Sequence, residues 1–361
     1  HIHLRKIGIY SLVAHASIKE LHHRFSRLLR EQGFRAHHSH KIERRAKEVV
    51  KATKKNSGRK PVLRRLTARL DYQDYRLDLE SKMLRIAVLN NEWVELRLLW
   101  YSYLDKYLSD SWNPKEILVS YKKGEIWVYI TFEKEVVLRR SKHVMGIDVN
   151  FNSITYTVIG KDGKLVSMGT IPFNGLKRAL AHKIIIEKMQ RKHSKRWRFV
   201  KGIREAIKKH GRRMRNILTG SSHYISRRIV EIAKEYNALI VLEYLNKLRG
   251  RANGSRKFNK ELSLWAYHRI QAYIHYKALM EGIRVVYVDP KGTSKTSPMG
   301  GRLELINYRW VKLPNGHVVT RDLIASWNLA LRGLKLLTRD VGSCGLMVTP
   351  KAPKGDDASN R

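Results

Sequence analysis

Apolar and polar residues alternate with different periods in different parts of the chain, and each change of period marks a new element. Residues 1–10 read as a short strand. From Ser17 to Val62 apolar positions recur at helical spacing, with Leu21, Phe25, Leu28 and Leu29 on one face. Asn56-Ser57-Gly58 and Pro61 close that stretch. From 62 to 140 the period drops to two, in VLRRLTARLDYQDYRLDL, WVELRLLW and KEILVSYKKGEIWVYITFEKEVVL. The last is two alternating runs joined by Lys122-Lys123-Gly124, a hairpin signal. These patterns predict a small barrel or sandwich preceded by a helical insertion, with a domain boundary at Arg139–Lys142.

A second region starts at Val144. VMGIDVN, ITYTVIG and KLVSMGTI predict three short strands, the second and third joined by an Asp162-Gly163 hairpin. A long helical region follows over 176–236. ALIVLEYL (238–245) is a continuous apolar run, as in a strand buried on both faces. LRGRANGSRKFNK reads as a basic loop. ELSLWAYHRIQAYIHYKALMEG reads as a helix ended by Gly282, and RVVYVDP as a second buried strand. A short β-like piece, LELINYRWVKL, precedes a last helix from Asp322 to about Leu337, with Leu323, Trp327, Leu331 and Leu334 as its apolar face. The polar tail from Gly342, with Pro350 and Pro353, is expected to be disordered. This order predicts an α/β layered domain resembling the RNase H fold. No glycine-rich phosphate loop follows any strand, which disfavours nucleotide hydrolysis.

Charge adds a partner to this outline. Among 361 residues, 73 Lys+Arg face 31 Asp+Glu, a formal net charge of +42. Such an excess repels itself unless a polyanion neutralises it, and nucleic acid is the expected one. An anionic membrane surface is the rival, but no uninterrupted apolar run of about 18 residues predicts a membrane span. The helical region 176–236 carries 19 Lys+Arg against 4 Asp+Glu. A one-signed run of this kind suits a surface that tracks a phosphate backbone, rather than an ordinary solvated helix face. Arg204, Arg212, Arg213, Arg215, Arg227 and Arg228 are the candidate phosphate contacts. Trp197 is a candidate base-stacking residue or a packing residue. His37, His38 and His40 form a small cluster, read as a polar loop between helices or, less readily, a metal site. Cys344 is the one cysteine, which excludes an intramolecular disulfide framework and any zinc site made of several thiolates.

Three carboxylates end or open the apolar elements of the second region. Asp148 closes the first strand, Glu243 ends the buried run, and Asp322 opens the last helix. Phosphodiester hydrolysis needs an activated water and a stabilised leaving oxygen, which a pair of divalent metals held by a few carboxylates provides. Each acid also has an ordinary reading: Asp148 as a turn cap, Glu243 as the partner of an arginine, and Asp322 as a helix N-cap. Asp289 is a fourth candidate, but the proline after it favours a turn role.

These segments resemble the split RuvC motifs of the TnpB (OrfB) family, the insertion-sequence proteins related to type V CRISPR effectors. GIDVNFNSITYTV resembles the first motif, IVLEYLN the second, and RDLIASWNLA the third, in which Arg321, Ala325 and Asn328 also match. LSLWAYHRIQAYIHYKALMEGIRVVYVDPKGTSKT resembles the segment leading into the family's zinc ribbon. The similarity spans about 144–337; the first 140 residues match in layout alone.

The resemblance implies an α/β (α+β) multidomain protein. Residues 1–141 would form a wedge-like β-barrel domain carrying a helical recognition insert at about 17–60. Residues 142–337 would form an RNase H-like RuvC nuclease domain, and 338–361 a disordered tail. The implied activity is RNA-guided DNA cleavage next to a short motif, with Asp148, Glu243 and Asp322 as catalytic ligands of Mg²⁺ (or Mn²⁺). The implied partners are a transposon-end guide RNA and target DNA, in a prokaryotic cytoplasm at the nucleoid, with no membrane and no small-molecule cofactor. The alternatives are a non-cleaving RNA-guided DNA-binding repressor and an accessory nucleic-acid-binding protein of a transposon.

One departure from the family is large. Its two CxxC pairs align here to Ser297 and Gly300 in TSPMGG and to Leu313 and Gly316 in LPNGH. No zinc is therefore expected in the segment 291–320, which is predicted to persist as a hairpin packed by Leu303, Leu305, Tyr308 and Trp310. A smaller departure is Asn150, where many relatives carry glycine; asparagine tolerates a positive φ.

Overall fold

The structure is a computed structural model that describes residues 31–339 apart from 34, 57–65, 90, 91, 109, 110, 123, 195, 245–263 and 265. The expected N-terminal strand, the helix from Ser17, the basic loop 248–260, Cys344 and the tail lie outside the described residues. The chain divides into two compact units, His1–Glu135 and Val136–Arg361. Among the described residues, no helix is long and apolar enough to cross a membrane.

The first unit begins with helix α1 (Ala36–Asn56), whose last turn carries Lys54 and Lys55. Six strands follow: β1 (Leu66–Leu70), β2 (Tyr75–Asp78), β3 (Met83–Leu89), β4 (Glu92–Arg97), β5 (Asn113–Lys122) and β6 (Glu125–Glu133). They form two three-stranded antiparallel sheets, β1-β5-β6 and β2-β3-β4. The predicted hairpin pairs Lys122 with Glu125, and Gly124 takes the positive φ (86°) that the turn requires. Leu70 and Ile117 from one sheet and Tyr75 and Leu84 from the other close a common core. The period-two pattern shows in β6, where half-buried and exposed positions alternate from Trp127 onward.

The second unit is built on a five-stranded sheet in the order β11-β10-β7-β8-β9. β7 (His143–Val149), β8 (Ser153–Ile159) and β9 (Leu165–Pro172) are the antiparallel meander. β10 (Ala238–Glu243) lies parallel to β7 and to β11 (Val285–Val288). β11 was expected to be buried on both faces. It is the sheet's edge, and Val285, Val286 and Tyr287 are only half-buried because one flank has no neighbouring strand.

The helical region 176–236 is two helices, α2 (Gly175–Lys192) and α3 (Lys201–Glu235), separated by a short 3₁₀ turn at Arg196–Arg198. With α4 (Tyr267–Met280) they share one core with one face of the sheet, through Met145, Ile147, Val149, Ile240 and Leu242. The opposite face receives α5 (Arg321–Arg339). Strand alternation sends Val144, Gly146 and Asp148 to the α5 side, together with Leu239, Val241 and Glu243. Gly146 is not a turn glycine. A Cβ there would stand 2.0 Å from the Ser326 carbonyl and 2.4 Å from the Ala330 nitrogen, so glycine is what lets α5 lie directly on β7. The expected apolar face of α5 is accordingly shifted. Ile324, Leu329 and Ala330 are fully buried, while Trp327, Leu331 and Leu334 pack at the margin.

Residues 304–320 form a three-stranded sheet rather than a hairpin: β12 (Glu304–Leu305), β13 (Trp310–Lys312) and β14 (Val318–Thr320). Its core is Val311, Leu313 and Ile324, flanked by Leu303, Val319 and Trp327. The expected packing by Leu305, Tyr308 and Trp310 does not occur; they are 66%, 83% and 42% exposed. Alternation turns Val311 inward, and Trp310 and Lys312 therefore outward. Leu313 is buried against the first turns of α5.

Candidate metal centre and nucleic-acid surface

The register of the sheet brings the first two acids together. Leu242 pairs with Ile147, so Glu243 and Asp148 follow at the same end of adjacent parallel strands and on the same face. Asp322 sits in the first turn of α5, where Thr320 Oγ1 accepts the Leu323 N–H at 3.3 Å. Thr320 thus takes the capping contact that had been the ordinary reading of Asp322. All three acids line one cleft of about 540 Å³, shared with Asn150, Asn152, Ser294, Tyr308, Arg309 and Arg321.

Their electrostatics express crowding. Asp148 is 8% exposed. Burial, and then the charges of Glu243 and Asp322, push its carboxyl well above the usual range. Burial raises Glu243 from 4.5 to about 7, against the opposing pull of Arg332. Asp322 is raised by burial and drawn back by Arg309 and Arg321. The Asn150 amide donates to Asp148 Oδ2 at 2.7 Å and also bonds toward Asp322. Asn150 does not hold a positive φ; its use is this amide. The sequence signal for it, asparagine two residues after the acid, was read as backbone tolerance because no partner was in view.

The donor set is oxygen only, as hard cations such as Mg²⁺ require. The three carboxylates do not all come within 4.8 Å of one another; among the described residues only His37, Asp71 and Asp74 do. Ligand oxygens on opposite ions of a metal pair can stand up to about 8 Å apart, so the wider spacing suits a pair better than a single ion. Three acids raised by burial, one of them raised further by the charges of the other two, mark a site short of positive charge, and a divalent cation fits it. Asp289 stays outside the cleft, where its Oδ1 accepts the Lys291 N–H at 3.0 Å in a turn.

The positions around the cleft are held by polar fastenings: Arg321 and Asn328 stand in the third motif, while Thr157 and Ser326 carried no signal in the sequence. Asn328 donates to the carbonyls of Thr293 and Thr296 at 2.7 and 2.8 Å, tying α5 to the loop after β11. Thr157 Oγ1 and Ser326 Oγ meet at 2.7 Å between β8 and α5. Arg321 donates to the Tyr308 carbonyl at 3.1 Å and to Ser294 at 3.4 Å, fixing the cleft rim.

The six candidate phosphate contacts all lie exposed on α3, but in two groups. Arg227 and Arg228 both bond Glu231 at 2.8 Å. Arg204, Arg212, Arg213 and Arg215 form no ion pair among the described residues. Trp197 is half-buried with the Arg198 guanidinium 5.2 Å from its ring centre, whereas Phe199 is 82% exposed.

Comparison with known proteins gives a consistent result. The Cas12f1-like TNB domain family matches residues 267–329. A TnpB-like protein of Methanocaldococcus jannaschii is 28% identical over 272 residues, 73% of this chain and 94% of the relative. A TnpB-like protein of Aquifex aeolicus is 23% identical over 63% of this chain and 81% of its own. The fold resembles Cas12f1, solved by cryo-EM in complex with guide RNA and target DNA, at a TM-score of 0.64 and 15% identity over 90% of this chain and 80% of that one. The chain is thus similar to TnpB-like proteins over most of its length, and to the Cas12f1-like TNB domain over residues 267–329.

Proposed function

We propose that the protein is an RNA-guided, Mg²⁺-dependent DNA endonuclease in which Asp148, Glu243 and Asp322 are the catalytic metal ligands. The observation that carries this reading is the meeting of three mutually repelling carboxylates in one cleft of a chain with net charge +42. The relatives support the substrate class. A Cas12f2 of a Micrarchaeota archaeon, 35% identical over 85 residues (22% of this chain, 15% of its own), is a CRISPR-associated endodeoxyribonuclease. The Cas12f1 of similar fold was solved with guide RNA and target DNA. On this reading the second unit is an RNase H-like RuvC domain, and the first is a wedge domain with a recognition helix that reads a short motif beside the target.

The chain's own residues have distinct tasks. Asp148 and Glu243 present oxygens from rigid neighbouring strands, and Asp322 presents one from a helix start. Asn150 orients the Asp148 carboxylate through its amide. Arg309 and Arg321 line the cleft and draw the scissile phosphate toward it. Mg²⁺, when bound, supplies Lewis acidity that activates water and stabilises the leaving oxygen. The exposed arginines of α3 neutralise phosphates, and guide pairing carries sequence specificity.

The test is to co-purify and sequence the bound RNA, then challenge the complex with a matching target library in Mg²⁺ or EDTA. Guide-dependent cutting in Mg²⁺ alone is expected. Guide-dependent binding without cutting in any divalent metal would favour a repressor instead.

A further inference from the structure

The first unit holds a second cluster of metal-binding side chains, unrelated to the carboxylate cleft. Asp71 and Asp74 stand at the two ends of the turn between β1 and β2. That turn is locked by the Asp74 N–H donating to the Asp71 carbonyl at 2.9 Å and by the Asp71 N–H donating to Asp74 Oδ2 at 3.3 Å. His37 and His38 lie in the first turn of α1, not in a loop between helices, and His40 is exposed. The helix start brings both imidazoles onto the turn. His37 Nε2 is 3.0 Å from Asp71 Oδ2, and its Nδ1 is 3.6 Å from Asp74 Oδ1. His38 Nε2 is 3.0 Å from the same Asp74 oxygen. One ligand atom each from His37, Asp71 and Asp74 fall within 4.8 Å of one another.

Two observations set this cluster apart from a surface ion pair. Asp74 is 1% exposed and His38 is 9% exposed. Moreover, His37 Nδ1 and His38 Nε2 are buried with no hydrogen-bond partner, although both face Asp74 Oδ1. Two imidazole nitrogens turned on one carboxylate oxygen without hydrogen-bond geometry are free to ligate an ion at Asp74, with His38 joining from outside the His37–Asp71–Asp74 trio. The cation now between the carboxylates is Lys41, whose Nζ is 2.9 Å from Asp71 Oδ2 and 2.5 Å from Asp74 Oδ2. Its ammonium supplies the two carboxylates with the positive charge that a metal ion would. Lys41 and Asp71 also line a separate cavity of about 610 Å³, with Arg44, Arg45 and Tyr72. The cavity gives an ion a way in and the lysine a place to go.

We propose that His37, His38, Asp71 and Asp74 form a binding site for a divalent transition metal, Zn²⁺ by its donor set, in which the ion displaces the Lys41 ammonium. Two imidazoles and two carboxylates complete the four-coordinate shell that zinc prefers. The ion pins the start of α1 to the β1–β2 turn. This departs from the expectation of no zinc, which rested on the missing ribbon thiolates and concerned a different segment.

The test uses the full chain carrying Glu243→Gln, so that the carboxylate cleft does not contribute. After loading with Zn²⁺ and exhaustive dialysis, about one equivalent per chain should remain by elemental analysis. His38→Ala and Asp74→Asn should each lower retention at least about tenfold, and Co²⁺ in the parent should show the visible absorption of a four-coordinate ion that His38→Ala loses. Lys41→Met is the second arm. It removes the competing ammonium, so Zn²⁺ should bind it more tightly and raise its Tm. Zinc retained equally by His38→Ala and Asp74→Asn would overturn the site. So would a Lys41→Met chain whose Tm falls and is not restored by Zn²⁺, because Lys41 would then be the cluster's own cation.

Discussion

Asp148 and Asp74 are both buried carboxylates, 8% and 1% exposed, and their neighbours drive them in opposite directions. Around Asp148 the nearest charges are two more acids, and its carboxyl is pushed up. Around Asp74, burial alone would do the same, but the neighbouring His38 and Lys41 outweigh it and hold the carboxyl far below the usual range. Burial therefore does not distinguish an acid poised for an outside cation from one neutralised within the fold. What distinguishes them is whether the chain itself supplies the compensating charge. The Asp148 cleft leaves its acids short of a cation and so asks for one from outside; the Asp74 cluster has a resident cation that any metal must displace.

The largest expected effects come from removing each acid. Asp148→Ala should lower guide-directed DNA cutting by at least about 10³-fold, a loss of roughly 4 kcal/mol of transition-state stabilisation, with RNA binding retained. The same change should leave the metal-free fold as stable as before or more so, because it removes a desolvated acid crowded by two others. Asp74→Ala should do the reverse. It strands Lys41 and His38 and should destabilise the first unit by about 3–5 kcal/mol. Cleavage assays with Mg²⁺, and denaturant midpoints in EDTA, read the two axes separately. Cutting by Asp148→Ala would end the catalytic assignment.

A smaller loss is expected from the scaffold that brings the acids together. Gly146→Ala places a methyl group against the backbone of Ser326 and Ala330, which side-chain motion cannot relieve. Forcing α5 off β7 should cost about 1–3 kcal/mol. It should also reduce cutting, since Asp322 rides on α5 and Asp148 on β7. Normal activity in a destabilised Gly146→Ala chain would show that the helix position is not what sets the cleft.

Acidity gives the comparison a sign. Glu243 is raised from 4.5 to about 7 on folding, so the folded state binds more protons than the unfolded one between those values. Stability in EDTA should therefore fall as pH rises through that window, by up to roughly 3 kcal/mol for this group, and Glu243→Gln should flatten the slope. Asp74 acts oppositely. Its lowered value adds stability that is complete above the ordinary Asp range and is lost as pH falls below it. An EDTA-treated protein that gains stability steadily from pH 5 to 8 would contradict the assignment of Glu243 as a crowded acid.

Much of this was legible in the sequence where a period or a spacing carries the information. The meander from VMGIDVN to KLVSMGTI, the buried strand ALIVLEYL and the helix ended by Gly282 all follow from local pattern. Alternation also placed Asp148 and Glu243 on one face once the two strands were neighbours. What was not legible depends on contacts between distant segments. The need for glycine at 146 could not be read locally, because the helix it accommodates begins some 175 positions later. Asn150 looked like a permissive backbone position because its partners include Asp322. The segment 291–320 was expected to pack on Leu303, Leu305, Tyr308 and Trp310; Leu303 does flank the core, but strand phase puts Val311 and Leu313 at its centre. His37 and His38 were noticed as a cluster, but the carboxylates opposite them lie more than 30 residues away.

The smallest expected effects apply the same distinction to cations. On α3, Arg227 and Arg228 share Glu231, which is held below its usual range by hydrogen bonds from both. Their charge is already spent in part within the helix. Arg212, Arg213 and Arg215 carry no such partner and stand on a helix whose excess is otherwise one-signed. A phosphate contact releases counterions only to the extent that the arginine is free to neutralise it. Replacing Arg213 or Arg215 by alanine should therefore weaken RNA binding a few-fold and lower the salt slope by about 1 each. Arg227→Ala should do less, because Arg228 remains beside the same acid and Glu231 draws it away from the ligand. Glu231→Gln in the otherwise unchanged chain should release both arginines and tighten binding relative to the parent. Filter-binding titrations across a salt series measure all four variants on one scale. If Arg227→Ala proved as damaging as Arg213→Ala, internal compensation would not govern which cations meet the phosphates. The paired arginines would then belong to the binding surface on equal terms.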